Sequence, residues 1–239
     1  MGIDKWMLAS ALASLLMMQS TASNAEPRIG VAASTKPKAE TVSNGNTQSL
    51  SSGSEIYTNQ TVRTGNFGTA DLVFIDSTNL GVGPSSEVRL EKFVHDPTGV
   101  GGSVGLNATR GAFRLATSKQ AKNAYVSTPD GTLRAHSTVE VLVNPSKRVG
   151  ESECVTKIRL VEGEATYDVK KSGKRARLTQ PNQVACISPN GEITYSFSST
   201  SILSFSAEAP PPSGGFIPGG GTTPVQPIQP PIVSGTQPI

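Results

Sequence analysis

Short runs of alternating apolar and polar residues, each stopped by turn-forming residues, constrain this chain more than any other feature. Alternation at period two marks a strand with one buried face, because successive side chains point to opposite sides of the backbone. Ala70-Asp71-Leu72-Val73-Phe74-Ile75 gives way to the turn chemistry of Asp76-Ser77-Thr78-Asn79, then to Leu80-Gly81-Val82. Val88-Arg89-Leu90-Glu91-Lys92-Phe93 alternates and stops at Asp96-Pro97-Thr98-Gly99. Val104, Leu106 and Ala108 recur at period two before Arg110-Gly111 and the run Ala112-Phe113-Arg114-Leu115. Ala124-Tyr125-Val126 leads into Pro129-Asp130-Gly131-Thr132, and Val139-Glu140-Val141-Leu142-Val143 follows. Residues 157–161 and 165–169 flank Glu162-Gly163-Glu164 as a last clear pair. Turns at intervals of about 8–12 residues predict a sandwich, barrel or solenoid of short strands. No window outside the amino terminus carries a helical stripe, so the expected class is all-β.

The two ends read differently. Lys5 precedes the apolar run of residues 7–18, which suits a signal-peptide core and is shorter than the roughly 20 residues that span a bilayer as a helix. Ser23-Asn24-Ala25 offers small residues where signal peptidase reads, so residues 1–25 are expected to be a signal peptide cleaved before Glu26. An uncleaved anchor is the alternative. Residues 26–50 read as an amino-terminal strand, Ile29-Gly30-Val31-Ala32, followed by a polar linker rich in Ser, Thr, Asn and Gly. Residues 51–205 form the expected β domain. Residues 206–239 form a Pro/Gly-rich tail, and from 209 onward it has no charged residue, nine Pro and six Gly. Such a segment buries too little apolar surface to offset its ordering entropy, so it is expected to be disordered or extended.

Charge and cysteines narrow the function classes. Twenty-one Lys and Arg against 18 Asp and Glu leave a net charge of +3, too mild a balance to point to nucleic acid or an anionic membrane. In an oxidising compartment the only two cysteines, Cys154 and Cys186, are expected to pair, each lying in an alternating segment. Closing a loop of about 33 residues would stabilise the fold by roughly 3–4 kcal/mol. Two buried free thiols are the alternative.

Enzyme constellations are thin. His95 and His136 are the only histidines, so zinc-protease spacing and multi-His metal sites are excluded. His136 and Ser137 are neighbours on an extended segment and point to opposite faces, so they cannot act as base and nucleophile. Glu162 and Glu164 bracket a turn, where solvated carboxylates are the ordinary reading. The chain is therefore read as non-enzymatic, with no cofactor and no metal. Candidate contact surfaces are loops: the glycine-rich stretch 99–105, the turn with Asp130, Gly131 and Thr132, and the basic hairpin tip with Lys170, Lys171, Lys174 and Arg175.

A run of linked motifs resembles the FecR domain of Gram-negative envelope signalling proteins, over roughly residues 28–195. They are Thr61-Val62-Arg63-Thr64-Gly65; residues 70–76 with Leu80-Gly81-Val82-Gly83-Pro84-Ser85-Ser86-Glu87-Val88; and Leu106 with Arg110-Gly111-Ala112-Phe113-Arg114. Val126-Ser127-Thr128-Pro129 with Gly131, Leu160-Val161-Glu162-Gly163-Glu164-Ala165, and Leu178-Thr179-Gln180-Pro181-Asn182-Gln183 complete the series. Two departures stand out: Ala135-His136-Ser137-Thr138 replaces a Gly-Thr pair, and Asn182 stands where the family has Gly. The signalling members carry a cytoplasmic anti-sigma segment and a spanning helix before this domain, where this chain has the expected signal peptide. The resemblance implies a β-solenoid-like or β-sandwich-like domain, periplasmic or secreted, that senses a signal or binds an envelope protein partner. That partner would be an outer-membrane receptor or an inner-membrane regulator. A structural or surface-associated envelope protein, with the tail as spacer or anchor, is the alternative.

Overall fold

The computed structural model describes residues 26–94, 102–118, 121–144 and 153–203. The expected signal peptide, His95, and the tail beyond residue 203 lie outside them. The described chain is all-β. Its strands are β1 (Arg28–Thr35), β2 (Ala39–Ser43), β3 (Asn46–Ser49), β4 (Glu55–Tyr57), β5 (Thr61–Thr64), β6 (Ala70–Phe74), β7 (Asn79–Val82), β8 (Glu87–Val94) and β9 (Gly102–Ala116). They continue with β10 (Ala121–Thr128), β11 (Gly131–Ala135), β12 (Thr138–Val143), β13 (Thr156–Glu162), β14 (Ala165–Val169), β15 (Arg175–Leu178), β16 (Gln183–Ile187) and β17 (Ile193–Phe197).

The pairings build two open sheets. The first runs β4-β1-β6-β7-β9-β12-β13-β16-β17. The second runs β3-β2-β5-β8-β9-β10-β11-β14-β15. All neighbours are antiparallel except β9 and β10. The open edges exclude a barrel, and the antiparallel ladders correspond to the sandwich-like expectation. One buried apolar cluster draws on both inner faces: Leu72, Leu80 and Ile158 from the first sheet, Val62, Leu133 and Leu178 from the second. Inward and outward positions alternate strictly along β11, β14 and β15, as burial of one face requires.

Strand β9 belongs to both sheets. Its first part pairs with β8 and β10, and residues from Gly111 onward pair with β7 and β12. The transfer happens where the β8 register skips Thr109 and Gly111 takes φ +108°. A side chain at Gly111 would collide with the Cα, Cβ and Oγ of Ser86. Ser86 in turn holds the junction: its Oγ accepts from the Ala112 N–H at 3.0 Å, and its own N–H donates to Thr64 Oγ1 at 3.0 Å.

Two expectations are corrected. Residues 39–49, read as polar linker, contain the β2–β3 hairpin of the second sheet, paired from Glu40–Ser49 to Ser43–Asn46 around Asn44 and Gly45. Within the glycine-rich stretch 99–105, Gly102 to Gly105 are not loop but the start of β9, paired with β10 and, from Ser103 onward, also with β8.

Replacing Gly111 with Ala should destabilise the protein by roughly 3 kcal/mol or more, since it adds a disfavoured backbone conformation to an overpacked contact. Urea unfolding of the variant against the parent chain measures this.

Candidate functional site

The two candidate loops that lie apart in sequence meet at one end of the second sheet. Strand β11 pairs with β14 in a register that sets Gly131 opposite Val169 and Thr132 opposite Asp168. The Lys170 N–H donates to the Asp130 carbonyl at 2.8 Å, so the 129–130 turn and the β14–β15 hairpin are directly bonded. Beneath them lies Tyr167, fully buried. Its hydroxyl is 2.7 Å from Thr128 Oγ1. A Cβ at Gly131 would sit 2.7 Å from the Tyr167 Cζ, which is why the turn needs glycine here. Burial pushes the Tyr167 hydroxyl above the ordinary tyrosine pKa, offset in part by its threonine hydrogen bonds.

Asp130, Gly131 and Thr132 are packed into this corner. Gly131 is buried and the other two are half-buried. Asp130 Oδ2 accepts from Thr156 Oγ1 at 3.1 Å and so ties the turn to β13. The basic residues are different: Lys170, Lys171, Lys174 and Arg175 are all exposed. They are nevertheless held. Lys171 Nζ donates to the Pro189 carbonyl at 2.8 Å, Ser172 Oγ to the Gly191 carbonyl at 2.7 Å, and Lys174 Nζ pairs with Glu192 at 2.6 Å. The hairpin is thus docked on the turn between β16 and β17. Arg175 pairs with Asp168, which Arg134 also approaches at 4.0 Å, and Arg134 lies over the Tyr125 ring at 5.8 Å. Cys154 and Cys186 form the expected disulfide, with Cα atoms 5.4 Å apart, and fix β16 to the segment entering β13.

The outer face of the first sheet holds a feature that the sequence reading missed. Glu140 is fully buried although it alternates with core valines. Its carboxylate accepts from Arg114 Nη1 at 2.9 Å and Arg159 Nη1 at 3.2 Å, both on adjacent strands. It also accepts from Ser201 Oγ at 2.9 Å and the Ile202 N–H at 3.0 Å. Arg159 reaches the Ser198 and Ser199 carbonyls and Asn182 Oδ1. Residues 198–203 therefore cross the outer face as a strap. Beside the strap lies a groove of about 840 Å³, lined by Ala112, Leu142, Val184 and Ile202 and carrying Arg110 and Lys157. The only sequence signal was a lone Glu between valines, and alternation alone reads that as solvent-facing.

Catalytic geometry is sparse. His136 is exposed, and Glu162 and Glu164 are exposed on either side of Gly163 at φ +79°. Among the described residues, no group of three or more His, Cys, Asp or Glu is placed to hold a metal. No described helix is long and apolar enough to cross a membrane.

No protein-family model matches the chain, and no curated protein matches it. Two crystal structures of a candidate anti-sigma factor from Parabacteroides distasonis ATCC 8503 resemble it, each at a TM-score of 0.44 and 16% identity over 57% of this chain. The chain spans 59% of the length of those structures.

The raised Tyr167 pKa fixes a pH dependence. The native state holds this proton more tightly than the unfolded chain, so the contribution is complete below about pH 10 and is lost as pH rises above it. Tyr167→Phe should cost about 1 kcal/mol at neutral pH through the lost hydrogen bond and should lessen the alkaline fall in unfolding free energy. Denaturant titrations between neutral pH and pH 11 check both.

Proposed function

We propose that the protein is a non-enzymatic, exported recognition domain of FecR type that binds a protein partner of the cell envelope. The observation that carries this reading is the corner where the 129–130 turn, the β14–β15 hairpin and the 189–192 turn are bonded together. It presents exposed cations on a hydrogen-bonded, disulfide-braced support, so a partner would find them already positioned, at little ordering cost. The run of FecR-like motifs from Thr61 to Gln183 supports the family reading, and the disulfide is compatible with an oxidising compartment. In this reading the partner is an outer-membrane receptor or an inner-membrane regulator. Asp130, Gly131 and Thr132 shape the corner from beneath, while Lys170, Lys171, Lys174 and Arg175 meet the partner.

In-cell crosslinking of the tagged, exported protein, followed by mass spectrometry, tests this. The expected result is capture of a membrane receptor or regulator, with crosslinks mapping to residues 129–132 and 170–175. A Lys170→Glu, Lys171→Glu double variant should lower that capture by at least about tenfold, because it reverses the electrostatic steering of the corner. Capture of cell-wall or surface components alone would overturn the recognition reading in favour of a structural role.

A further inference from the structure

The four sheet edges are not protected alike. Strand β3 is short, polar and exposed throughout. Strand β4 has three residues and carries the Arg28–Glu55 pair at 3.3 Å. Strand β15 carries Arg175 and Arg177, and its outward Arg177 N–H is capped by the Tyr195 hydroxyl at 3.2 Å. Charges, polar residues and short length are the ordinary ways of keeping an edge from pairing with another chain. Strand β17, Ile193-Thr194-Tyr195-Ser196-Phe197, is less protected: it carries no charge and no proline, and three of its five residues are apolar or aromatic.

Its geometry suits an added strand. Ser188 N donates to the Glu192 carbonyl and Ser198 N to the Asn182 carbonyl, both at 2.9 Å. By the alternation of an antiparallel ladder, Thr194 and Ser196 bond to β16, while Ile193, Tyr195 and Phe197 turn their N–H and C=O groups to the other side. Among the described residues no strand pairs there. The side chains of these three residues share the face of Ala185 and Ile187, which belong to the core. Ile193 packs on that core, but Tyr195 is 49% exposed and Phe197 65% exposed. Among the described residues, the inner face of the first sheet thus continues as an uncovered aromatic stripe.

Charge selects the occupant. From Asp168 to Phe197 there are five cations (Lys170, Lys171, Lys174, Arg175, Arg177) and two carboxylates (Asp168, Glu192). Both carboxylates are already paired with cations of the same corner. Lys170 and Lys171, beside the turn that enters β17, are exposed and make no ion pair among the described residues. A second copy paired antiparallel about Tyr195 would set two basic β15 edges against each other, which disfavours self-association. We propose that β17 accepts an extended, acidic segment of a partner protein as a further strand of the first sheet. The partner's main chain pairs with the free edge, its apolar side chains cover Tyr195 and Phe197, and carboxylates flanking the paired stretch meet Lys170 and Lys171 beside the 189–192 turn. This deepens the proposed function and rests on its premise that the corner recognises a protein.

The probe is a fluorescent, end-blocked peptide of alternating valine and threonine with three glutamates at each end, with a lysine-ended peptide as its counterpart, titrated into the full exported protein. The glutamate peptide should bind saturably and more weakly as salt rises, and the lysine peptide should not bind. A Lys170→Glu, Lys171→Glu double variant should reverse that preference. Tyr195→Pro, which deletes an edge N–H that an edge strand can lose without unfolding, should weaken binding about tenfold, whereas Tyr195→Val should retain it. Should the proline variant unfold, methylation of the peptide amides that face β17 must abolish binding, and methylation of the opposite amides must not. Equal binding of both peptides, or binding indifferent to Tyr195→Pro and to amide methylation, overturns strand addition. In cells, partner capture that Tyr195→Pro leaves intact but Lys170→Glu, Lys171→Glu removes would overturn strand addition and leave corner recognition standing. Failure to capture any protein partner would overturn the recognition reading itself, even where the peptide binds.

Discussion

One strand serves both sheets, and the rest of the architecture depends on how it changes partners. β9 leaves the second sheet for the first at Gly111, and this crossing needs three things together. The register must slip past Thr109, the backbone must enter a left-handed conformation, and the space normally held by a side chain must be given to Ser86. Glycine meets the last two at once. With the crossing made, β7 and β12 flank the second half of β9 while β8 and β10 flank the first, so both inner faces are set over one core. Without it, the strands before β9 and those after it would have no common element to fix their register.

The outer face of the first sheet is organised by a buried charge. Burying a carboxylate costs several kcal/mol unless its lone pairs are met. Glu140 meets the requirement with two guanidiniums from its neighbours β9 and β13 and two donors from residues 201 and 202. A buried ion network is weak grounds for stability in itself, because well-packed apolar groups replacing the whole of it are often as stable, whereas removing Glu140 alone would leave Arg159 buried without its partner. The network dictates where the strap of residues 198–203 crosses, and with it one wall of the groove over Leu142 and Val184.

Local features were the legible ones. The period-two runs fixed the strands around Leu72, Val141 and Tyr167, and two cysteines in alternating segments gave the disulfide. The β2–β3 hairpin was missed although Asn44-Gly45 is a strong two-residue hairpin signal, because the flanking Ser, Thr and Asn lacked apolar weight. Gly105 misled for the opposite reason: glycine reads as loop, but here the tight approach of Lys92 favours it in a strand. The sheet exchange at Gly111 and the burial of Glu140 depend on residues tens of positions away, so no local pattern announces them. The same is true of the candidate site. Each loop was visible alone, but only the register of β11 on β14 brings Asp130 to Lys170.

That corner shows how a β-sandwich can present an edge without leaving it loose. An isolated edge strand would have to be ordered at the moment a partner arrives, and that entropy would be subtracted from the affinity. Here β17 is braced before any contact is made. The disulfide holds β16, the β14–β15 hairpin grips the 189–192 turn through Lys171, Ser172 and Lys174, and Tyr195 reaches across to the backbone of β15. The same basic residues that fasten the turn leave the corner with a surplus of positive charge. Rigidity and charge preference therefore come from one set of side chains, and a substitution that weakens one also alters the other. Separating them requires changes at Lys170, whose side chain carries charge at the corner without fastening the turn.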